Sequence, residues 1–250
     1  LLVLAADHII KNEEAFCEAI KSAMFMAEED KIVTFGIIPT YAETGYGYIN
    51  IGARVESNIE VDNAHFYVAK KFVEKPEREL AEKYCSSKKY LWNSGMFMFK
   101  ASVFLSELKK YRPDIFEVCE EAISASSKDL DFIRLPERMF EKCPSESIDF
   151  AVMENTKRCV VCPVDIGWSD VGSWQSLWEL SDKSPSGDVC KGDTLTYNTK
   201  NNYIYSDSAL VAAVGVENIV IVQTKDAVLV ANKSEVQDVK KIVDLLKKNN

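Results

Sequence analysis

Apolar positions along the chain alternate between runs with the period of a strand and runs with the period of a helix. Leu1 to Ala5 is a continuous apolar run that stops at Asp7 and His8. Asn12, followed by Glu13 and Glu14, is a helix start, because a capping amide and two first-turn carboxylates suit the positive end of a helix. Ala15, Phe16, Ala19, Ile20, Ala23 and Ala27 then recur at helical spacing, and Lys31 to Ile38 returns to strand character. Strand, helix, strand within about forty residues is a βαβ unit, which predicts a parallel sheet covered by helices.

Further helices are expected over 102–111, 114–125 and 147–155, and from Ser173, where Trp174, Leu177 and Trp178 share a face. Short strands are expected near 47–52, 67–73, 95–100 and 159–164. After Leu180 the pattern changes. SDKSPSGDVCKGD is a turn cluster, and TLTYN, NYIYSD, LVAAVGV, NIVIVQT and AVLVA follow as short strands between turn residues. A terminal helix over 234–247 places Val236, Val239, Ile242, Val243 and Leu246 on one face. The chain therefore divides into an α/β body, 1–182, and a small β-rich tail with a terminal helix, 183–250.

Composition narrows the function. With 250 residues and 47% hydrophobic content the chain can bury a sizeable core. A net charge of −9 repels nucleic acid and anionic lipid, so neither is an expected partner. Small anionic ligands stay open, since they need only a local cation. No apolar run approaches the roughly 18 residues of a spanning helix, and LLVLAA lacks the basic flank of a signal peptide. Seven scattered cysteines predict reduced thiols and a cytoplasmic home. Cys159 and Cys162 fall within a strand, where positions three apart face opposite sides, so two packed thiols are expected there rather than a zinc site.

In α/β sheets, ligands gather at the carboxyl ends of strands. Five polar or glycine-rich segments sit beside apolar runs: Asp7-His8, PTYAETGYGYI, Glu74-Lys75-Pro76, Trp92-Asn93-Ser94-Gly95, and Asp165 through Gly172. Each taken alone has a plain structural reading as a cap, a turn or solvated charge. Together they suggest chemistry. Asp7 and Asp170 are carboxylates suited to one hard cation such as Mg²⁺, which one or two carboxylates and phosphate oxygens usually hold. Lys75 offers charge to a phosphate, Glu74 and Asn93 offer hydrogen bonds to hydroxyls, and glycines admit close backbone approach. The residue types point to a Mg²⁺-dependent enzyme of phosphorylated sugars or nucleotides.

Those same stretches, in order, resemble the mannose-1-phosphate guanylyltransferase family (GDP-mannose pyrophosphorylases). The resemblance is nearest to the bacterial type often fused to a mannose-6-phosphate isomerase domain. It rests on VLAADHII, FGIIPTYAETGYGYINIG, KFVEKPE, YLWNSGMFMF, ESIDFAVME with VDIGWSDVGSW, and the tail LVAAVGVENIVIVQTKDAVLVA. It implies a nucleotidyltransferase (Rossmann-like) mixed α/β sheet with helices on both faces, followed by a small β-helical tail. It also implies transfer of GMP from GTP to α-D-mannose 1-phosphate, giving GDP-mannose and pyrophosphate.

By motif position, Asp7 and Asp170 would hold catalytic Mg²⁺ and Lys75 would contact the sugar phosphate. Gly45, Glu74 and Asn93 would bind the sugar, with His8 beside it, and Asp165 and Trp168 would shape the loop carrying Asp170. The tail would serve subunit contacts in a homo-oligomer. Three departures stand out. The family's glycine-rich GxGxR-type signature is absent, so a longer parent protein is expected. Ala6 replaces a usual Pro, and Asn155 a common Lys. No cupin-like isomerase domain lies within these residues, so no isomerase activity is expected of them. The alternatives are another sugar-1-phosphate nucleotidylyltransferase and a catalytically silent regulatory subunit that binds sugar phosphate.

Overall fold

A computed structural model describes residues 1–56 and 65–249. Contact clustering divides them into two compact units: Leu1–Ala6 with Ile10–Trp168, and Asp7–Ile9 with Ser169–Asn250.

In chain order the first unit holds β1 (Leu2–Val3), α1 (Glu13–Glu28), β2 (Ile32–Ile37), β3 (Tyr48–Arg54) and β4 (Tyr67–Val73). It continues with α2 (Arg78–Ser87), β5 (Tyr90–Met98), α3 (Ala101–Tyr111), α4 (Pro113–Ser124) and a hairpin of β6 (Ser127–Asp129) and β7 (Phe132–Arg134). A short α5 (Glu137–Phe140), a π-helical turn (Asp149–Met153) and β8 (Cys159–Val164) complete it. The start of α1 follows the sequence: Asn12 accepts from the Ala15 N–H at 3.0 Å, above first-turn Glu13 and Glu14.

The six-stranded sheet runs β1-β5-β2-β8-β4-β3 and is mixed. The βαβ expectation needs correction here. β2 does pair in parallel with β8, but β5 is inserted antiparallel between β1 and β2. Leu2 and Val33 both face Met98 across its two edges, so the first two strands share a direction without touching. The first strand is also shorter than its apolar run, and Leu1 to Leu4 are exposed.

Two apolar layers cover the sheet. On one face Phe16, Ala19, Ala23 and Met26 of α1 pack on Val33, Phe35, Met96, Met98, Val160 and Cys162. On the other, Val103, Leu108 and Ile115 of α3 and α4 pack on Ile32, Phe97 and Cys159, with Ala151–Met153 of the π turn. Cys159 and Cys162 thus enter opposite layers, and burial pushes both thiols up to about 12. The expected 147–155 helix is only the five-residue π turn, closed by Glu154 N–H to Asp149 O at 2.9 Å.

In the second unit, Ser173 caps α6 (Trp174–Leu180) by accepting from the Ser176 N–H at 3.1 Å. Short strands β9 (Val189–Lys191), β10 (Thr194–Tyr197), β11 (Tyr203–Ser206), β12 (Val211–Val214) and β13 (Ile219–Gln223) follow. β9, β11 and β13 stack in parallel, and β10 stacks in parallel with β12, as successive coils of a β-helix do. β14 (Val228–Asn232) closes the edge antiparallel to β13.

Inside the stack, Asp188 and Asn202 are buried polar groups with full partners. The Asp188 carboxylate accepts from Ser186, Thr199, and both the backbone and the side chain of Asn202, at 2.5–2.8 Å. The terminal helix begins as a 3₁₀ turn, Lys233–Asp238, before α7 (Val239–Asn249). Among the described residues no helix is long and apolar enough to cross a membrane.

Candidate active site

A cavity of about 280 Å³ opens on the first unit, lined by the facing parts of β3, β4 and β5 and by the π turn. Glu74 and Lys75 reach it from the end of β4, and their side chains pair at 3.1 Å. Both are substantially exposed, so that pair contributes little to stability. Lys75 holds a left-handed backbone, φ +44°, anchored by its N–H on Tyr46 O at 3.2 Å. A non-glycine residue there costs about 1–2 kcal/mol, and such strain concentrates at functional sites.

Asn93 reaches the same cavity from inside β5, not from a turn before a later strand as its Asn-Ser-Gly sequence suggests. The β2–β5 register slips between Thr34 and Gly36. The Ser94 hydroxyl donates to Phe35 O at 2.5 Å, and Gly95 takes φ +67°. This irregularity re-aims the strand, a recurrent role of bulges beside active sites. Asn93 Nδ2 donates to Asp149 Oδ1 at 2.8 Å, and Asn93 Oδ1 accepts from Gly95 N–H at 3.2 Å.

Of the residues singled out from the sequence, Glu74, Lys75 and Asn93 therefore meet in one cavity. Gly45 is not in its lining; its N–H donates to Glu43 Oε1 at 2.8 Å. The lining glycine is Gly47, where an added Cβ would lie 2.7 Å from Glu74 Oε2 and 3.3 Å from Asn93 Cβ. Asp165 lines a different surface groove, with Glu18, Ser22 and His65. Trp168 is buried, its ring edge-on to Tyr46 at 5.2 Å between centroids.

The lining also includes Ser147, Asp149 and Glu154, polar residues that the sequence reading of individual sites did not single out. Burial raises the Asp149 carboxyl above its usual range; the Asn93 N–H opposes that and the Glu74 charge adds to it. Glu154 is raised by burial and by Asp149 and Glu74, against Lys71. The signal was present in ESIDFAVME, but its helical reading gave no reason to single out the acidic positions.

The second unit contains the other acidic pair. Ile9 and Ser169 form a two-way antiparallel bridge, each N–H donating to the other's carbonyl at 2.9 Å, which sets residues 7–8 alongside 170–171. Asp170 Oδ1 accepts from the Gly172 N–H at 2.8 Å, and an added Cβ at Gly172 would lie 2.5 Å from Asp170 Oδ2. Between them Val171 takes φ +54°, a marked outlier for a β-branched residue. Asp7 is exposed, while His8 and Asp170 are half-buried. Among the described residues no group of three or more His, Cys, Asp or Glu side chains is arranged for a metal ion. Two hard carboxylate donors nevertheless suit Mg²⁺, which fills its remaining positions with water and phosphate oxygens.

Residues 1–187 match the nucleotidyl transferase family model, and residues 192–246 match that of the MannoseP isomerase/GMP-like β-helix domain. Mannose-1-phosphate guanylyltransferase 2 of Escherichia coli O157:H7 is 67% identical over 247 residues, 99% of this chain and 51% of that protein. Mannose-1-phosphate guanylyltransferase of Salmonella muenchen is 54% identical, over 100% of this chain and 51% of that protein. The chain spans about half the length of these curated relatives. The crystal structure of a mannose-1-phosphate geranyltransferase from Thermus thermophilus superposes with a TM-score of 0.81 at 31% identity. That match covers 99% of this chain and 69% of the other.

Proposed function

Because the chain belongs to the nucleotidyl transferase family, we propose that it acts in the Mg²⁺-dependent transfer of GMP from GTP to α-D-mannose 1-phosphate, releasing GDP-mannose and pyrophosphate. The observation that carries this reading is the convergence of Glu74, Lys75, Asn93 and Gly47 on one small cavity. Carboxylates and an amide match the hydroxyls of a sugar, and a lysine beside them matches its phosphate. The names of its relatives support mannose and guanylyl as the substrate choice.

The chemistry needs no nucleophilic side chain. A phosphate monoester loses its second proton near pH 6, so at neutral pH the sugar phosphate is itself the nucleophile toward the α-phosphorus of GTP. What the protein must overcome is the repulsion of two anions. Lys75 lowers it at the sugar phosphate, and Glu74 and Asn93 fix the sugar so that its phosphate oxygen is held for in-line attack. Asp7 and Asp170 are the residues that would hold Mg²⁺, which when bound neutralises phosphate charge and orients the phosphates. The hydrogen bond from Gly172 and the tight turn at Val171 keep the Asp170 carboxylate in one orientation.

Self-association through the β-rich tail belongs to the same proposal, since Leu195, Tyr197 and Val214 stand exposed on β10 and β12. Light scattering on the purified protein reads it: a mass of one chain at micromolar concentration would remove it. The metal role is tested by Asp170→Asn, which keeps an acceptor for Gly172 but removes the charge. Turnover should fall at least about 100-fold with the melting temperature unchanged; a wild-type rate with Mg²⁺ would take Asp170 out of the mechanism.

A further inference from the structure

Asp149 comes from the π turn, 56 residues beyond Asn93, yet its carboxylate oxygen lies 2.8 Å from the Asn93 amide nitrogen. The two ends of an asparagine amide have nearly the same shape and opposite hydrogen-bonding character. Which end faces a ligand is therefore decided by the groups around it. Here two groups decide it together: the Asp149 carboxylate, which can only accept when ionised, and the Gly95 N–H, which can only donate. Turning the amide over would set oxygen against carboxylate and N–H against N–H. Both contacts would become repulsive.

We propose that Asp149 is a positioning residue for sugar binding, fixing the Asn93 amide so that one N–H and one oxygen lone pair remain for a sugar hydroxyl. This rests on the reading of the cavity as a sugar-phosphate site. The neighbouring Glu74 and Glu154 carboxylates only accept hydrogen bonds when ionised. The remaining N–H of Asn93 is thus the amide's means of recognising a hydroxyl oxygen, and its direction is set from Asp149. The placement is costly, since Asp149 is half-buried beside another negative charge. A neutral side chain could close the same turn without that cost, because the turn's own bonds run through backbone groups, Glu154 N–H to Asp149 O among them.

Asp149→Ala and Asp149→Asn separate positioning from mere packing. The alanine variant should raise both the calorimetric Kd and the KM for mannose 1-phosphate about tenfold, with kcat within about twofold of wild type. The asparagine variant keeps an oxygen that can accept from Asn93, so it should recover binding to within about threefold of wild type. Wild-type affinity in the alanine variant, or an asparagine variant no better than alanine, overturns the inference.

The wild-type protein supplies a check that needs neither variant nor ligand. The Asn93 side-chain amide protons, followed by NMR, should exchange with solvent more slowly than those of exposed asparagines. Exchange as fast as theirs overturns the inference by itself. If wild-type protein binds no mannose 1-phosphate, the sugar-phosphate reading falls and this role falls with it. If wild type binds and the alanine variant binds equally well, only the role of Asp149 falls.

Discussion

Replacing Gly47 with alanine isolates how closely the cavity wall fits its carboxylate. Gly47 has no positive φ, so an alanine backbone is accepted without strain. The whole effect must come from one methyl group. That carbon would stand 2.7 Å from Glu74 Oε2, 3.3 Å from Asn93 Cβ and 3.7 Å from Asn93 Nδ2. Asn93 is held by the backbone of β5 and by Asp149, so the freer Glu74 carboxylate has to give way. It must retreat by roughly 0.7 Å to restore ordinary van der Waals distance.

A misplacement of about 1 Å costs up to about 100-fold where geometry is critical. A shift of this smaller size, acting on one proposed hydrogen-bonding partner of the sugar, should raise the KM for mannose 1-phosphate about tenfold, or about 1.4 kcal/mol. The KM for GTP should stay within about twofold, because no contact on this wall is assigned to the nucleotide. The assay is steady-state pyrophosphate release with each substrate varied in turn, beside a melting curve. An unchanged KM for mannose 1-phosphate in a folded Gly47→Ala protein would refute the role given to Glu74. A collapse of the melting temperature would show that the glycine serves packing instead.

Two further outcomes follow from named groups. Lys75→Gly removes the left-handed strain at φ +44° and should raise stability by about 1 kcal/mol while weakening mannose 1-phosphate binding. A variant that is both more stable and equally active would separate Lys75 from the phosphate. In the β-helix, burial works against ionised Asp188, but hydrogen bonds from Ser186, Asn202 and Thr199 outweigh it and hold the carboxyl below its ordinary 3.8. A lowered folded pKa gives stability that is present above the unfolded value and lost as pH falls through the folded one. Thermal stability should therefore drop below about pH 4, and Asp188→Asn should flatten that limb while lowering stability at pH 7 by about 1–3 kcal/mol. An identical acid limb in the variant would assign it to other carboxylates.

Local pattern carried much of the architecture. The Asn12 cap, the helices ending at Tyr111 and Ser124, and β8 over Cys159–Val164 follow from capping chemistry, a proline boundary and a continuous apolar run. Strand order did not follow, because pairing between strands far apart in the chain leaves no local trace: nothing near β1 or β2 announces that β5 will enter between them. Within the site, Glu74, Lys75 and Asn93 were legible as a set because their residue types share one chemistry.

Gly45 and Gly47 present the same signal in Gly-Tyr-Gly. Only the fold separates them: Gly47 lines the cavity against Glu74, while the Gly45 N–H is bonded to Glu43. Asp149 was hidden for another reason. A helical period over ESIDFAVME treats its carboxylates as a solvated face, whereas the five-residue π turn brings one of them against a strand 56 residues away.

Guanylyl transfer to mannose 1-phosphate stands as the proposed activity of this chain. Its most direct test is pyrophosphate release by the purified protein with Mg²⁺ across GTP, UTP and dTTP, each paired with mannose 1-phosphate or glucose 1-phosphate. Under that activity kcat/KM is highest for GTP with mannose 1-phosphate, and release is lost when Mg²⁺ is chelated. Preference for another pair, or release indifferent to chelation, would contradict it.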